Sequence, residues 1–237
     1  MWLMASYQPA ALFTLKFGMA TATGAKSLLI PTPFAIRTAL LDIAIRVEGV
    51  AYGAEAFNLL RQLDLALRPP AHAVTTNLFA NILKPPHSNK KSDDAMVGTI
   101  AFREYVHLQG HLMLAFGGKA STLARIEAWL PHLTYLGRRG GFMQFLPPLE
   151  RIASEQLPDS YTSLSQPLGA PAPFPLGILQ ILDDWGPSLT YEKINVFSSK
   201  SINRPGAGDD RTRYAIVLPY QFRQAGRGFT LYERMEK

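Results

Sequence analysis

The stretch AFREYVHLQGHLMLAF, residues 101–116, decides how this chain is read. Two runs of aliphatic and aromatic residues flank Gln109-Gly110, where a glycine supplies the backbone angle of a tight turn. The pattern predicts a β-hairpin. Along its first strand, alternate residues share a face. Arg103, Tyr105 and His107 therefore point one way, and Glu104 and Val106 the other. A cation, an aromatic ring and an imidazole on one face suit nucleic acid, through charge and through stacking on bases. A bland alternative stays open at this point: Tyr105 packed beneath a neighbouring segment, and Arg103 paired with a carboxylate.

Downstream, Gly117-Gly118 break the second strand. Leu123, Ile126 and Leu130 then line one face of a helix over 120–133, with Ser121 as a cap. GRRGG (137–141) is a loop and FMQFL (142–146) a strand. The glycines of that loop permit close backbone approach, and Arg138 and Arg139 offer forked donors to a phosphate; a solvated turn is the alternative. Upstream, ALFTLKF (11–17) alternates as a first strand, and GMATATGAKS (18–27) is a small-residue loop. Thr32 and Pro33 open a helix whose apolar stripe is Ile36, Leu40, Ile43 and Val47. A second helix is predicted over 54–67, stopped by Pro69-Pro70.

This order, β-α-β-β-α-β over residues 11–146, predicts an α+β protein with a ferredoxin-like (RRM-like) palm. Residues 72–100 read as an inserted β-hairpin thumb with a polar tip, HSNKKSDD. A Pro/Gly/Ser-rich connector covers 156–178, and strands are expected over 188–197 and 213–233. The expected division is a palm with its thumb over 1–150, then a connector and C-terminal β-rich extension over 151–237 packed on the palm.

Composition limits the chemistry. The 237 residues contain no cysteine, which excludes disulfides, thiolate metal sites and cysteine nucleophiles. The net charge of +6 is compatible with a polyanionic partner without requiring one. The most apolar stretch, Leu28 to Val47, carries Arg37, Asp42 and Arg46, too many charges for a membrane span. No secretory leader pattern opens the chain, so a cytoplasmic protein is expected, with no membrane partner. His107 and His111 share a spacing that suggests a metal pair, yet they sit in a hairpin and lack the further ligands that zinc needs. No phosphate-cradling Gly-Lys-Ser loop, nucleophile elbow or paired-histidine helix is present. The expectation is therefore no catalytic residue, no metal and no cofactor.

Four segments together resemble the five-type Cas subunit of the RAMP superfamily, a component of Cascade, the type I CRISPR effector. LKFG (15–18), followed by a loop and LLIPTPFAIRTALLDIA (28–44), is similar to the family's opening strand, loop and helix. FREYVHLQGHLML is similar to its Arg-Glu-Tyr-Leu strand and the aliphatic strand that follows. YLGRRGGFMQFLP (135–147) is similar to its Tyr-Leu-Gly-Arg-Arg loop, and YAIVLPYQFRQAGRGFTLYER (214–234) to its closing Leu-Pro-x-Gln-Phe element. The chain departs in having Gly140-Gly141 where the family often has serine.

The resemblance implies a subunit that binds and caps the 5′ handle of crRNA. It also implies partners: the large subunit, the backbone subunit and, through the complex, target DNA. It places Arg103 and Tyr105 at the thumb base, Arg138 and Arg139 toward the handle and Lys26 and Ser27 in the loop after the first strand; with Lys16, Arg37, His107 and Gly140 these are the expected RNA-binding residues. Two other functions stay open. One is a metal-independent endoribonuclease that processes pre-crRNA with Tyr105, His107 and Lys119. The other is a protein–protein adaptor that touches no RNA.

Overall fold

The computed structural model describes residues 1–17, 24–85, 96–138, 140–154, 156–165, 176–202 and 208–236. The first strand, β1, is Trp2–Pro9, followed by the short β2 (Gly24–Ala25), α1 (Pro33–Glu48), α2 (Gly53–Arg61) and β3 (Asp64–Arg68). Two long strands, β4 (His72–Lys84) and β5 (Val97–Gln109), precede β6 (Leu112–Gly117), α3 (Ala120–Trp129), β7 (Met143–Ile152) and β8 (Thr162–Ser163). The C-terminal part holds β9 (Ile178–Trp185), α4 (Tyr191–Ile194), β10 (Arg211–Leu218), β11 (Tyr220–Gly226) and β12 (Phe229–Arg234).

The palm is a sheet in the order β7-β1-β6-β3-β8. Its neighbouring strands are all antiparallel. Taken in chain order, its four long strands lie as fourth, first, third, second, with α1 and α3 in the two crossovers. That is the ferredoxin-like arrangement. Leu3, Tyr7, Leu65, Leu67, Leu114 and Phe116 bury their side chains with those of α1 and α3. Within this core the Tyr7 hydroxyl donates to the Leu130 carbonyl at 2.8 Å, and burial pushes its ionisation far above the ordinary range. Helix α1 begins as expected: the Thr32 hydroxyl accepts from the Ala35 N–H at 3.1 Å and Pro33 opens the first turn.

The palm is assembled from partly different segments than the sequence predicts. The first strand is Trp2–Pro9, not 11–17. Residues 11–17 make only isolated bridges, Phe13 to Val106 and Lys16 to Ser27. The second palm strand is Asp64–Arg68, inside the predicted second helix, which ends at Arg61. Leu60, Leu63 and Leu67 fit a helical stripe. In β3, however, Leu65, Ala66 and Leu67 are all buried because both faces are covered, so the alternation that marks a strand is lost.

The decisive stretch 101–116 is corrected as well. Gly110 takes φ 102, as the turn requires, but β5 and β6 do not pair with each other. Gln109 still belongs opposite His72 in one sheet, while Leu112 already pairs with Tyr7 in another. The turn passes the chain between two sheets. The second of these, the arm sheet, has the order β11-β12-β4-β5-β2. The thumb is its β4–β5 hairpin, and it is longer than predicted, because β5 runs from Val97 to Gln109. The polar tip lies outside the described residues.

The described residues of 151–237 share a core with the palm. Strand β12 pairs with β4, and Leu182, Trp185, Leu218 and Tyr220 belong to the same core as the palm. The expected strand over 188–197 is instead occupied by α4, and the strand lies earlier, at β9. The β9–β10 pair covers α1 and α2: Trp185 stacks on Phe57 with ring centroids 4.5 Å apart. Arg37 of α1 is ion-paired to Asp184 of β9 at 2.8 Å, with both side chains buried. Among the described residues, no helix is long and apolar enough to cross a membrane.

Candidate nucleic-acid interface

The pairing register of the arm sheet determines which residues share its faces. Val106 and Leu108 turn toward the core and are buried. The alternation read from the sequence holds, so Arg103, Tyr105 and His107 project from the opposite face. Opposite them on β4 stand Leu78, Thr76 and Val74. Thr76 in turn pairs with Phe229 of β12, and Val74 with Leu231. Tyr105 and Phe229 therefore flank Thr76 on one face, two strands and about 10 Å apart. The Phe229 ring is 40% exposed and lies across Gly226, where a Cβ would come within 2.5 Å of it.

Beside Tyr105 this face falls into a cleft of about 170 Å³, lined by Leu12, Phe13, Thr14, Arg103, Tyr105, Leu136, Arg138, Gly140 and Gly141. Three segments build it. Residues 12–14 run along β5, fixed by hydrogen bonds in both directions between Phe13 and Val106 at 3.0 and 2.8 Å. The Arg-rich loop closes as a turn in which the Gly141 N–H donates to the Arg138 carbonyl at 3.1 Å. Gly140 takes φ 109 within it, a backbone region open chiefly to glycine. Exposed Arg138 is thereby carried to the same cleft as Arg103.

The other predicted residues divide. Lys26 and Lys16 are exposed at the border of the arm sheet, where Ala25 pairs with Arg103 and Lys16 bridges Ser27. His107 is exposed one pleat beyond Tyr105, on the same face. Ser27 is buried: its N–H donates to a Glu104 carboxylate oxygen at 2.8 Å, and its hydroxyl accepts from Leu15 and donates to Leu28. It fixes the segment that carries Lys26 rather than facing solvent. Arg37 is a correction. It is 4% exposed, and its guanidinium donates to Asp184 and to the Leu60 and Leu63 carbonyls, so it is built into the core. Arg139 lies outside the described residues.

Phe229 is a face residue that reading the sequence did not single out. The signal was available: Arg227-Gly228 between alternating runs marks a two-residue hairpin. What could not be seen is that β12 lands beside β4. Lys119, by contrast, does not join Tyr105 and His107. It follows Gly117, which pairs with Trp2 at one end of β1, whereas the cleft adjoins Ala10 beyond the other end. At strand rise this separation is about 25 Å.

Two further surfaces frame the candidate. The palm sheet's face away from its helices carries Met4, Ala66 and Ala115, all buried beneath Tyr161. Burial, with a smaller contribution from Glu150, pushes the Tyr161 phenol up to about 12. The centre of that face is therefore closed, while Gln8 and the exposed Gln144 lie toward its end. A hollow of about 470 Å³ against α1 is larger than the cleft, but its walls include Leu41, Ile45, Val196 and Phe197 and none of the predicted cations.

No protein-family model and no curated protein matches the chain. Among solved structures, it is similar to a chain of a CRISPR RNA-guided surveillance complex at 15% identity, over 91% of this chain and 87% of that one, with a TM-score of 0.49. A chain of a type III-B Cmr-β complex bound to cognate target RNA matches at 11% identity, over 63% and 59%, with a TM-score of 0.43. A CRISPR protein from Archaeoglobus fulgidus matches at 8% identity, over 99% and 92%, with a TM-score of 0.42. The fold assignment rests on the strand order above, not on these likenesses.

Proposed function

We propose that this chain is a non-catalytic RNA-binding subunit of a CRISPR effector, and that it grips the 5′ handle of crRNA on the open face of its arm sheet. The observation that carries the reading is the register that puts Tyr105 and Phe229 on either side of Thr76, next to a cleft holding Arg103 and Arg138. Aromatic side chains on an exposed sheet can stack splayed bases, and guanidiniums can hold the phosphates between them. Lys16 and Lys26 extend the positive border. The motifs shared with the five-type Cas subunit point to the handle as the RNA and to Cascade's large and backbone subunits as neighbours. Target DNA would then be met only through the assembled complex.

The test is direct. The purified chain is incubated with labelled repeat-derived RNA in EDTA, and binding and integrity are followed together. Retention of intact RNA, with affinity that falls as salt rises, is the expected result. Specific cleavage lost in His107→Ala would support the processing reading instead. Absence of any salt-dependent binding would leave the adaptor.

A further inference from the structure

On the opposite side of the junction between the two sheets lies a second polar cleft, of about 320 Å³, that the RNA reading does not use. It is lined by Arg68, Asp159, Ser160, Thr162, Pro219, Arg234, Met235 and Glu236. Arg68 ends β3 and Arg234 ends β12, so the fold brings two cations from distant parts of the chain to one hollow. Neither forms an ion pair within 4.0 Å among the described residues, although the Glu236 charge acts favourably on Arg234. Among the described residues Arg68 donates only to the Met113 sulfur, at 3.7 Å, and its Nε is buried without a partner. Arg234 donates to the Pro69 carbonyl at 2.6 Å. A guanidinium has five N–H donors, so most of this capacity is unused. Burial first, and then the neighbouring Arg68 charge, depress the Arg234 pKa from its ordinary value.

Asp159 and Glu236 also line the cleft and are exposed, and the Glu236 charge reaches Arg234 without closing an ion pair. Two guanidiniums with two nearby carboxylates do not suit a bare anion. They suit a ligand that carries both a phosphate and N–H donors. The Ser160 and Thr162 hydroxyls add neutral donors and acceptors between them. The volume falls at the small end of the range of small-molecule sites.

We propose that this cleft binds a nucleotide, with its phosphate on Arg68 and Arg234 and an amino-bearing base edge toward Asp159 and Glu236. The phosphate can belong to a free nucleotide or to the end of an RNA, and the site is independent of the arm face. Calorimetric titration of the full chain with guanosine 5′-monophosphate tests it, beside guanosine and inorganic phosphate. The monophosphate is expected to bind saturably, with each partial ligand weaker by about tenfold or more, the scale of a lost charge-assisted hydrogen bond.

Arg234→Gln is expected to weaken the monophosphate by a similar factor. Ser160→Asp places a competing carboxylate on an exposed residue, so it keeps the test valid should the arginine variant fail to fold; it too is expected to weaken binding, with Tm unchanged. A 5′-phosphorylated dinucleotide that binds as well as the mononucleotide identifies an RNA end as the source; weaker binding identifies a free nucleotide. Absence of saturable binding, or binding that is the same in Ser160→Asp, overturns the proposal. Because the Tyr105→Ala/Phe229→Ala variant leaves this cleft intact, loss of arm-face RNA binding in that variant does not affect the outcome.

Discussion

The palm sheet and the arm sheet meet at Gly110 and treat their outer faces in opposite ways. The palm closes one face with α1 and α3 and covers the centre of the other with Tyr161, laid over Met4, Ala66 and Ala115. The arm closes one face near its base, through Val106 and Leu108, and leaves the other with His107 and Phe229 exposed and Arg103 and Tyr105 half-buried. A closed sheet contributes stability, and an open one contributes surface. In this chain the interface is therefore expected on the added strands rather than on the ferredoxin-like sheet itself.

Substitutions can break that comparison, and the largest effect is expected in the palm. Ala115→Glu puts a charge into a fully buried position between β1 and β3. It is expected to abolish cooperative unfolding in a urea melt, or to cost about 4 kcal/mol or more. Arg37→Met comes next. It leaves Asp184 buried without its partner, and a loss of about 3–5 kcal/mol is expected in the same melt. The fraction that stays folded should bind RNA like the parent, which separates this arginine from those of the cleft.

On the arm the order of effects reverses. Tyr105→Ala and Phe229→Ala are each expected to weaken RNA binding by about 1–3 kcal/mol while Tm moves little. Arg103→Ala and Arg138→Ala should each flatten the slope of log K against log salt by roughly 0.7–1. Leu78→Glu, on the open face opposite Arg103 and beyond the end of β12, should change stability by no more than about 0.5 kcal/mol. It should still lower RNA affinity, because it places an anion beside Arg103. Equal destabilisation by Leu78→Glu and Ala115→Glu would erase the distinction between the two sheets.

How far this was legible in the sequence follows from what each residue's neighbours are. Alternation holds at Tyr105 and His107, which stand opposite buried Val106 and Leu108, because there β5 is covered on one face; toward Arg103 the contrast fades. The same rule failed for β3, where covering on both faces removes the contrast. The Thr32-Pro33 helix start was local chemistry and held. The hairpin reading of 101–116 failed because a tight turn specifies a change of direction but not the partner strand: β6 finds β1 and β3 instead of β5. Phe229 was invisible as a face residue for a related reason, since its neighbour Thr76 lies far away in the chain. Arg37 misled because a cation in an apolar helix has two explanations, and Asp184, which decides between them, is 147 residues away.

The most direct measurement is fluorescence anisotropy of a short single-stranded RNA titrated with the full chain across a salt series, for the parent and for Tyr105→Ala/Phe229→Ala. The expected result is a log K that falls linearly with log salt in both. The double variant should be displaced downward by about tenfold or more at every salt, with a similar slope. A slope of zero in the parent, or coincident lines for the two proteins, would contradict an RNA interface on the open face of the arm.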